Sequence, residues 1–206
     1  MNLWYDIIMF FSHARNSFEF ILRNLNFSSD EYIALPDYNC DAIIQPIKKL
    51  SINYKYYQVN DNFSPNWDSI DKLARKSLKA MLVVNYFGQS KYTGAYQKFC
   101  NNNEILMIED CSHSYGGTYN GIVVGDFGDF SFSSPRKILN TPSGSILKNN
   151  TKIKLKKNIP TKRSFPNLSK LFFYVILNSR PVLRERIKAI FKKKMIFDNP
   201  LFPREP

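Results

Sequence analysis

The sequence predicts an α/β protein of three layers, in which helices cover both faces of a mostly parallel sheet. Two observations carry this prediction. First, short apolar runs such as residues 80–84 and 105–108 alternate with helical segments along the chain, which is the pattern of β-α-β units. Second, these runs are continuously apolar, as expected for strands that are buried on both faces of the sheet.

The elements follow from the spacing of apolar side chains, taken in chain order. From Ala14 onward apolar residues recur at helical spacing, which indicates an amphipathic helix. After it, runs of strand type and helical segments alternate. In order we predict a helix from Ala14, a strand at 32–35, a helix at 41–50, a strand at 54–59, a helix at 68–78, a strand at 80–84, a helix at 93–101 and a strand at 105–108.

The pattern changes after Gly116 and Gly117. Asn120 and Gly121 stand between apolar residues, and this pair is the strongest short signal for a β-hairpin. The last strands are predicted at 127–132 and 145–147. Residues 1–150 therefore form one large domain, long enough to bury a substantial core.

The end of the chain carries the whole net charge of +12. Residues 1–150 hold 14 Lys and Arg against 14 Asp and Glu, whereas residues 151–206 hold 15 against 3. We predict a basic, proline-interrupted helical tail there, with a cationic amphipathic helix at 182–191 that could meet a membrane surface or a partner. It shows no zinc-ligand spacing or helix-turn-helix pattern that would indicate nucleic acid.

Cysteine usage and apolar runs indicate the compartment. Three cysteines, Cys40, Cys100 and Cys111, are too few and scattered for a disulfide framework or a metal site. The first six residues carry no basic leader, and the apolar run at 171–177 is far shorter than the ~20 residues that cross a bilayer. We therefore expect a cytoplasmic protein without a cleaved signal, a spanning helix or a bound metal.

Two motifs fall where such sheets bind ligands, beyond the carboxyl ends of their strands. Asp110 follows the strand at 105–108, within the run Ile-Glu-Asp-Cys-Ser-His. Lys137 comes about one strand and one turn later, after the run Phe-Ser-Phe at 130–132. This arrangement can hold pyridoxal phosphate, because the amine can form the Schiff base while the carboxylate pairs with the pyridinium nitrogen.

The order of these segments resembles the DegT/DnrJ/StrS family of pyridoxal-phosphate sugar aminotransferases. The likeness covers about residues 10–148 and includes the turn at 12–17, Asn-Tyr-Phe-Gly-Gln at 85–89 and the segments of Asp110 and Lys137. It implies the large domain of fold-type I transferases, with an amino group moved from an amino acid, such as glutamate, to a nucleotide-linked keto-sugar in polysaccharide or amino-sugar biosynthesis. Since such enzymes build each site from two subunits, it also implies a homodimer.

The resemblance implies a role for each matching position. Lys137 matches the Schiff-base lysine that also moves the proton, Asp110 the partner of the ring nitrogen, and His113 the Gln or His beside the ring. The other implied coenzyme positions are Ala14, Arg15 and Asn16 in the phosphate-binding turn, Tyr38 at the aromatic position over the ring, and Ser131 or Ser133 as the phosphate hydroxyl. The family usually has glycine at the place of Ala14, and Thr or Ser at that of Arg15.

Other interpretations stay open at this point. Relatives continue through a smaller second domain, where this chain has only residues 151–206, so we expect a truncated copy or part of a longer product. A non-catalytic homologue that serves as a partner subunit is the second interpretation. A protein that binds membrane surfaces through its basic tail is the third.

Overall fold

The computed structural model describes residues 7–73, 75–114, 116–137 and 143–156. The predicted basic tail, apart from its first residues, lies outside these ranges. The helices are α1 (Ala14–Leu25), α2 (Asp41–Lys49), α3 (Trp67–Asp71) and α4 (Thr93–Asn102). The strands are β1 (Ile7–Phe11), β2 (Tyr32–Pro36), β3 (Asn53–Tyr57), β4 (Leu78–Val84), β5 (Leu106–Cys111), β6 (Thr118–Tyr119), β7 (Ile122–Val123), β8 (Phe130–Ser133) and β9 (Ser145–Asn149).

Seven strands form one sheet in the order β1-β9-β8-β5-β4-β2-β3. The five strands from β8 to β3 in this order are parallel, and β9 is antiparallel to both of its neighbours. β1 therefore runs in the same direction as β8. The mostly parallel α/β sheet is confirmed, and β6 pairs with β7 in the predicted hairpin around Asn120 and Gly121.

Helices cover both faces of the sheet. Because successive residues of a strand point to opposite faces, each strand contributes side chains to two apolar cores. In β5, Ile108 joins the apolar core under α1 and α2, whereas Met107 joins the core under α3 and α4. On the first face, Phe18 of α1 contacts Phe132 of β8, with ring centroids 5.4 Å apart. No helix within the described part of the chain is long and apolar enough to cross a bilayer.

Two elements differ from the sequence prediction. The helix predicted over 68–78 is the shorter α3, which begins where the Asn66 side chain accepts a hydrogen bond from the Ser69 backbone N–H at 3.0 Å. The predicted range also included Leu78, which instead belongs to β4 and pairs with Tyr32. β1 was not predicted, since it pairs with β9, which lies more than a hundred residues along the chain.

The carboxyl ends of the parallel strands meet at one edge of the sheet. In the register, Asp110 lies beside Val84 of β4 and Phe132 of β8. Phe11, the last residue of β1, lies beside Ser145 at the start of β9. The ends of β1, β4, β5 and β8 and the start of α1 therefore share this edge, which is where ligands bind in sheets of this kind.

Candidate functional site

Asp110 is the buried carboxylate of this edge, with 7% of its surface exposed. Its Oδ1 accepts a hydrogen bond from the backbone N–H of Ser112 at 2.8 Å. Burial raises the pKa of Asp110, while the hydrogen bonds from Ser112 and the positive charge of Lys137 lower it in part. A buried carboxylate held in this way gains from any cationic group that a ligand brings to the edge.

Lys137 comes from the neighbouring strand. It ends the short 3₁₀ turn Pro135–Lys137 after β8, and its backbone N–H donates to the carbonyl of Ser134 at 3.0 Å. Lys137 is exposed, and its charge acts on Asp110 and on His113. The structure therefore brings the amine and the carboxylate to the same end of the sheet.

His113 lies just beyond β5 and is exposed. Its ring stacks on that of Phe87, with centroids 5.7 Å apart and planes 22° apart. Partial burial and the charge of Lys137 lower the pKa of His113, and the charge of Asp110 opposes them. The imidazole is therefore neutral near pH 7 and offers a flat face to a ligand.

Four aromatic side chains extend from His113 along the edge, and we call them the aromatic row. They belong to the segments after β2, β3 and β4, and neighbouring centroids lie 5.0–5.8 Å apart. The members are Tyr38, Phe63, Tyr86 and Phe87. Tyr38 is 55% and Phe87 60% exposed, so the row gives the edge an open aromatic surface. Tyr86 donates from its hydroxyl to the carbonyl of Tyr38 at 2.6 Å, which ties the first and third segments together.

The first turn of α1 lies at the same edge. The Ser12 carbonyl accepts a hydrogen bond from the Gly144 N–H at 2.9 Å, and the Ser12 hydroxyl accepts one from the Asn16 amide at 2.7 Å. His13 is the N-cap residue, but its side chain makes no capping hydrogen bond. The first N–H groups of α1, which begins at Ala14, are therefore not capped by the His13 side chain. Such N–H groups at the start of a helix can bind anions.

Positive charge gathers at this turn. Burial, Arg15 and Arg136 together lower the pKa of His13, so both guanidinium groups act on one imidazole. A cleft of about 580 Å³ opens beside the turn. Its lining consists of Ser12, His13, Arg15, Asn16, Glu19, Gln45, Pro46 and Lys49. This combination of a helix start and guanidinium groups suits a phosphate.

Ser131 and Ser133, the predicted phosphate hydroxyls, lie on the face of β8 opposite to Phe130 and Phe132. Both hydroxyls are buried, but Phe130 and Phe132 of the same strand join the core under α1. Because side chains alternate along a strand, the two serines point to the other face of the sheet. The Ser133 hydroxyl donates to the carbonyl of Ile146 at 3.5 Å, so neither serine lies on the side of the α1 turn.

Sequence analysis did not single out Glu109 or Ser145. Glu109 is completely buried next to Asp110, and an acidic residue inside an apolar strand is the signal that could have found it. The Ser145 hydroxyl lies 2.7 Å from that of Ser17 in the second turn of α1. Only the register of β9 against β1, which no local pattern reveals, brings Ser145 there.

The edge fits a small phosphorylated aromatic ligand with a reactive carbonyl. It offers a buried carboxylate, an exposed amine, open aromatic faces and a cationic helix start, all on residues described above. Asp110 and Lys137 line neither the cleft beside α1 nor a second cleft of about 590 Å³ around Asp37 and Asn60. At this edge of the sheet, Asp110 is buried and Lys137 is exposed.

Comparison with known proteins identifies relatives of the chain. A sequence model of the DegT/DnrJ/EryC1/StrS aminotransferase family matches residues 11–164. GDP-perosamine synthase of Vibrio cholerae is 29% identical over 85 residues, which cover 40% of this chain and 23% of that protein. The UDP-4-amino-4,6-dideoxy-N-acetyl-beta-L-altrosamine transaminase of Helicobacter pylori is 30% identical over 108 residues, which cover 51% and 28%.

Solved structures share the fold. PseC of Helicobacter pylori, an aminotransferase involved in the biosynthesis of pseudoaminic acid, has a TM-score of 0.65 at 20% identity, and the match covers 94% of this chain and 59% of that chain. The chain spans less than a third of the length of the two curated relatives above. The family model thus covers the region that holds the Asp110 edge, and the sequence matches cover a minor part of each of the two curated relatives.

Proposed function

The chain belongs to the DegT/DnrJ/EryC1/StrS aminotransferase family, and from this premise we propose that it binds pyridoxal phosphate and transfers an amino group to a nucleotide-linked keto-sugar. The observation that carries the proposal is the placement of Asp110 and Lys137 at the carboxyl ends of the neighbouring strands β5 and β8, where the charge of the amine acts on a buried carboxylate. The names of the relatives as nucleotide-sugar enzymes support the substrate class.

Four groups of this edge would hold the coenzyme. Asp110 would pair with the ring nitrogen, and Lys137 would bind the carbonyl carbon through its amine. Arg15, with the first turn of α1 through Ala14 and Asn16, would bind the phosphate. The rings of Tyr38 and His113 lie along the same edge and would contact the ring of the coenzyme.

Bound pyridoxal phosphate supplies an electron sink for the substrate carbon next to the transferred nitrogen. Asp110 would keep the ring nitrogen protonated, because a buried carboxylate is stabilised by a facing cation. Lys137 would take the proton from the substrate carbon and return it to the coenzyme side, as general base and then general acid. Its exposed position leaves the amine accessible to an incoming donor such as glutamate.

We infer further that the active form is a homodimer in the cytoplasm. Lys137 is exposed at this edge, and catalysis of this kind requires exclusion of water. A second copy placed against the aromatic row would supply the missing wall. In this assignment residues 1–150 form the coenzyme-binding domain and residues 151–206 a basic tail.

A non-catalytic partner subunit is the alternative function. Such a subunit would keep the fold and the Asp110 edge but would carry out no transfer itself. Binding of the coenzyme without turnover would fit this role.

The experiment that separates these functions uses the purified full chain with pyridoxal phosphate. We expect a visible absorbance band from the bound coenzyme and, with glutamate and a nucleotide-linked keto-sugar, release of 2-oxoglutarate. Lys137→Ala should lose both, while Lys98→Ala, an exposed lysine of α4, should keep both. A band without turnover supports the partner subunit, and no band in the wild type overturns both functions.

A further inference from the structure

Glu109 is a completely buried carboxylate on the face of β5 opposite to Asp110. Three N–H donors and the thiol of Cys111, whose Sγ lies 3.8 Å from Oε2, surround it. Its Oε1 accepts from the backbone N–H of Gly128 at 2.6 Å, and its Oε2 accepts from the backbone N–H of Gly125 at 3.2 Å and from the side-chain amide of Asn85 at 3.1 Å. These donors oppose the rise in the pKa of Glu109 that burial causes, and no cation is among the principal influences on it.

The first of these donors, Asn85, connects Glu109 to the aromatic row. Asn85 follows β4, and its backbone N–H donates to the carbonyl of Asp110 at 3.0 Å. Its side-chain oxygen accepts from the Thr93 hydroxyl at 2.7 Å, which fixes the orientation of the amide. The next two residues are Tyr86 and Phe87. Glu109 therefore holds the start of the segment that contacts His113.

The other two N–H donors, Gly125 and Gly128, connect Glu109 to the strand that precedes Lys137. Gly125 and Gly128 lie in the segment between the hairpin and β8, and β8 ends four residues before Lys137. A Cβ atom on Gly128 would come within 2.9 Å of the Met107 carbonyl and 3.1 Å of the Glu109 Cγ. Gly125 has a φ of +102°, and a Cβ there would lie 3.0 Å from the Ser131 hydroxyl. The segment is thus packed tightly against Glu109 and has little room to relax.

We propose that Glu109 is a positioning residue, a buried carboxylate that fixes both the Phe87 segment and the start of β8 and so sets where Lys137 stands relative to Asp110. The inference rests on the proposed function. Amide N–H donors stabilise the Glu109 carboxylate. The charge of Lys137 acts on Asp110, on the other face of β5.

Glu109→Gln tests the proposal because it preserves size and changes only the acceptors. The glutamine NH₂ group must face one or two of the three N–H donors, which leaves buried donors unpaired. We expect the dissociation constant of pyridoxal phosphate to rise about tenfold or more, from the loss of one such interaction. The pH titration of the coenzyme absorbance should also shift, since the environment of Lys137 changes.

Asp129→Asn is the matched control. Asp129 is a half-buried carboxylate next to β8 whose Oδ2 accepts from the Met107 N–H at 2.8 Å, but it lies at the opposite end of β5 and β8. Its loss should reduce stability without changing the coenzyme affinity or the titration. If both variants bind the coenzyme as tightly as the wild type, with the wild-type titration, Glu109 is merely structural and the proposal is overturned.

Hydrogen–deuterium exchange provides a readout that does not depend on the coenzyme. In the apoprotein, Glu109→Gln should speed exchange at residues 85–88 and 125–128, and Asp129→Asn should not. Asn85→Ser, which removes one donor only, should give the same pattern more weakly and serves if Glu109→Gln does not fold. Unchanged exchange in these segments overturns the inference, whereas a wild type that binds no coenzyme overturns the proposed function and leaves the exchange result to decide on Glu109.

Discussion

Glu109 and Asp110 are adjacent in β5 and both are buried, yet their hydrogen-bond donors and charged neighbours differ. Glu109 receives three N–H donors from two loops. Among the described residues, Asp110 accepts hydrogen bonds from Ser112, and the charge of Lys137, which follows the next strand, acts on it. The described residues thus give the Glu109 carboxylate more hydrogen bonds than that of Asp110. A cationic group of a ligand would stabilise Asp110 further.

The difference teaches that burial alone does not mark a functional carboxylate. Burial raises the pKa of both groups, so the pKa shift does not distinguish them either. What distinguishes them is the number of protein donors and the presence of a neighbouring amine. A buried acid that the fold pairs incompletely is the candidate for chemistry, and a fully paired one stabilises the structure.

The largest expected effect comes from Asp110→Asn. Because asparagine cannot keep the ring nitrogen protonated, amine transfer should fall about a hundredfold or more, the scale on which removal of a key electrostatic group acts. The apoprotein should become more stable, since the variant removes a charge whose burial is unfavourable. Turnover assays and thermal unfolding measure the two changes. If Asp110→Asn destabilises the apoprotein as Glu109→Gln does, the contrast between the two carboxylates fails.

The pH dependence of stability sharpens the same contrast. The pKa of Asp110 in the folded state lies above its ordinary value of 3.8, so the folded state binds this proton more tightly than the unfolded state. The free energy of unfolding of the wild type therefore decreases as the pH rises from 3.8 through the pKa of Asp110 in the folded state, and above that pKa the decrease stays constant. Chemical unfolding of the apoprotein across this range should show that slope reduced in Asp110→Asn. Identical slopes would contradict the raised pKa.

A smaller effect is expected at the start of α1. Arg15→Ala should weaken binding of pyridoxal phosphate about tenfold, because a charge-assisted hydrogen bond is worth about 1.5–3 kcal/mol. Pyridoxal, which lacks the phosphate, should bind the variant and the wild type equally. Arg23→Ala, at the other end of the helix, is the control. Equal losses for both ligands would remove Arg15 from the phosphate site.

The smallest effect is expected at Ser133. Its hydroxyl points away from the α1 turn and bonds to the Ile146 carbonyl, so Ser133→Ala should change coenzyme affinity by no more than about twofold, within the ±0.5 kcal/mol typical of positions away from a site. Coenzyme titration measures this. A tenfold loss would return Ser133 to the phosphate site.

The sequence alone predicts most of the fold, because its elements follow from local periodicity. The apolar runs that became β4 and β5 and the helical spacing of α1 and α4 need no knowledge of distant contacts. β1 was not predicted because Ile7–Phe11 forms a strand through its pairing with β9, which lies far along the chain. α3 was predicted too long because Leu73 and Leu78 lie three and eight residues after Ile70, a spacing typical of one helix face, although Leu78 is paired in the sheet.

For the candidate site, the sequence predicts which residues gather at the edge better than it predicts which way they face. Asp110 and Lys137 follow neighbouring strands, so their proximity follows from the order of elements. The orientation of Ser131 and Ser133 depends on the phase of β8, which the spacing of the motif does not fix. The role of Glu109 depends on Gly125 and Gly128 folding back against it, and no local pattern encodes that contact.

The central claim is that Lys137 is the lysine that binds the coenzyme beside Asp110. Borohydride reduction of the wild-type protein with bound pyridoxal phosphate, followed by peptide mass spectrometry, tests it most directly. The account predicts a single pyridoxyl group on Lys137, absent from Lys137→Ala and present in Lys98→Ala. A pyridoxyl group on another lysine, or none at all, would contradict it.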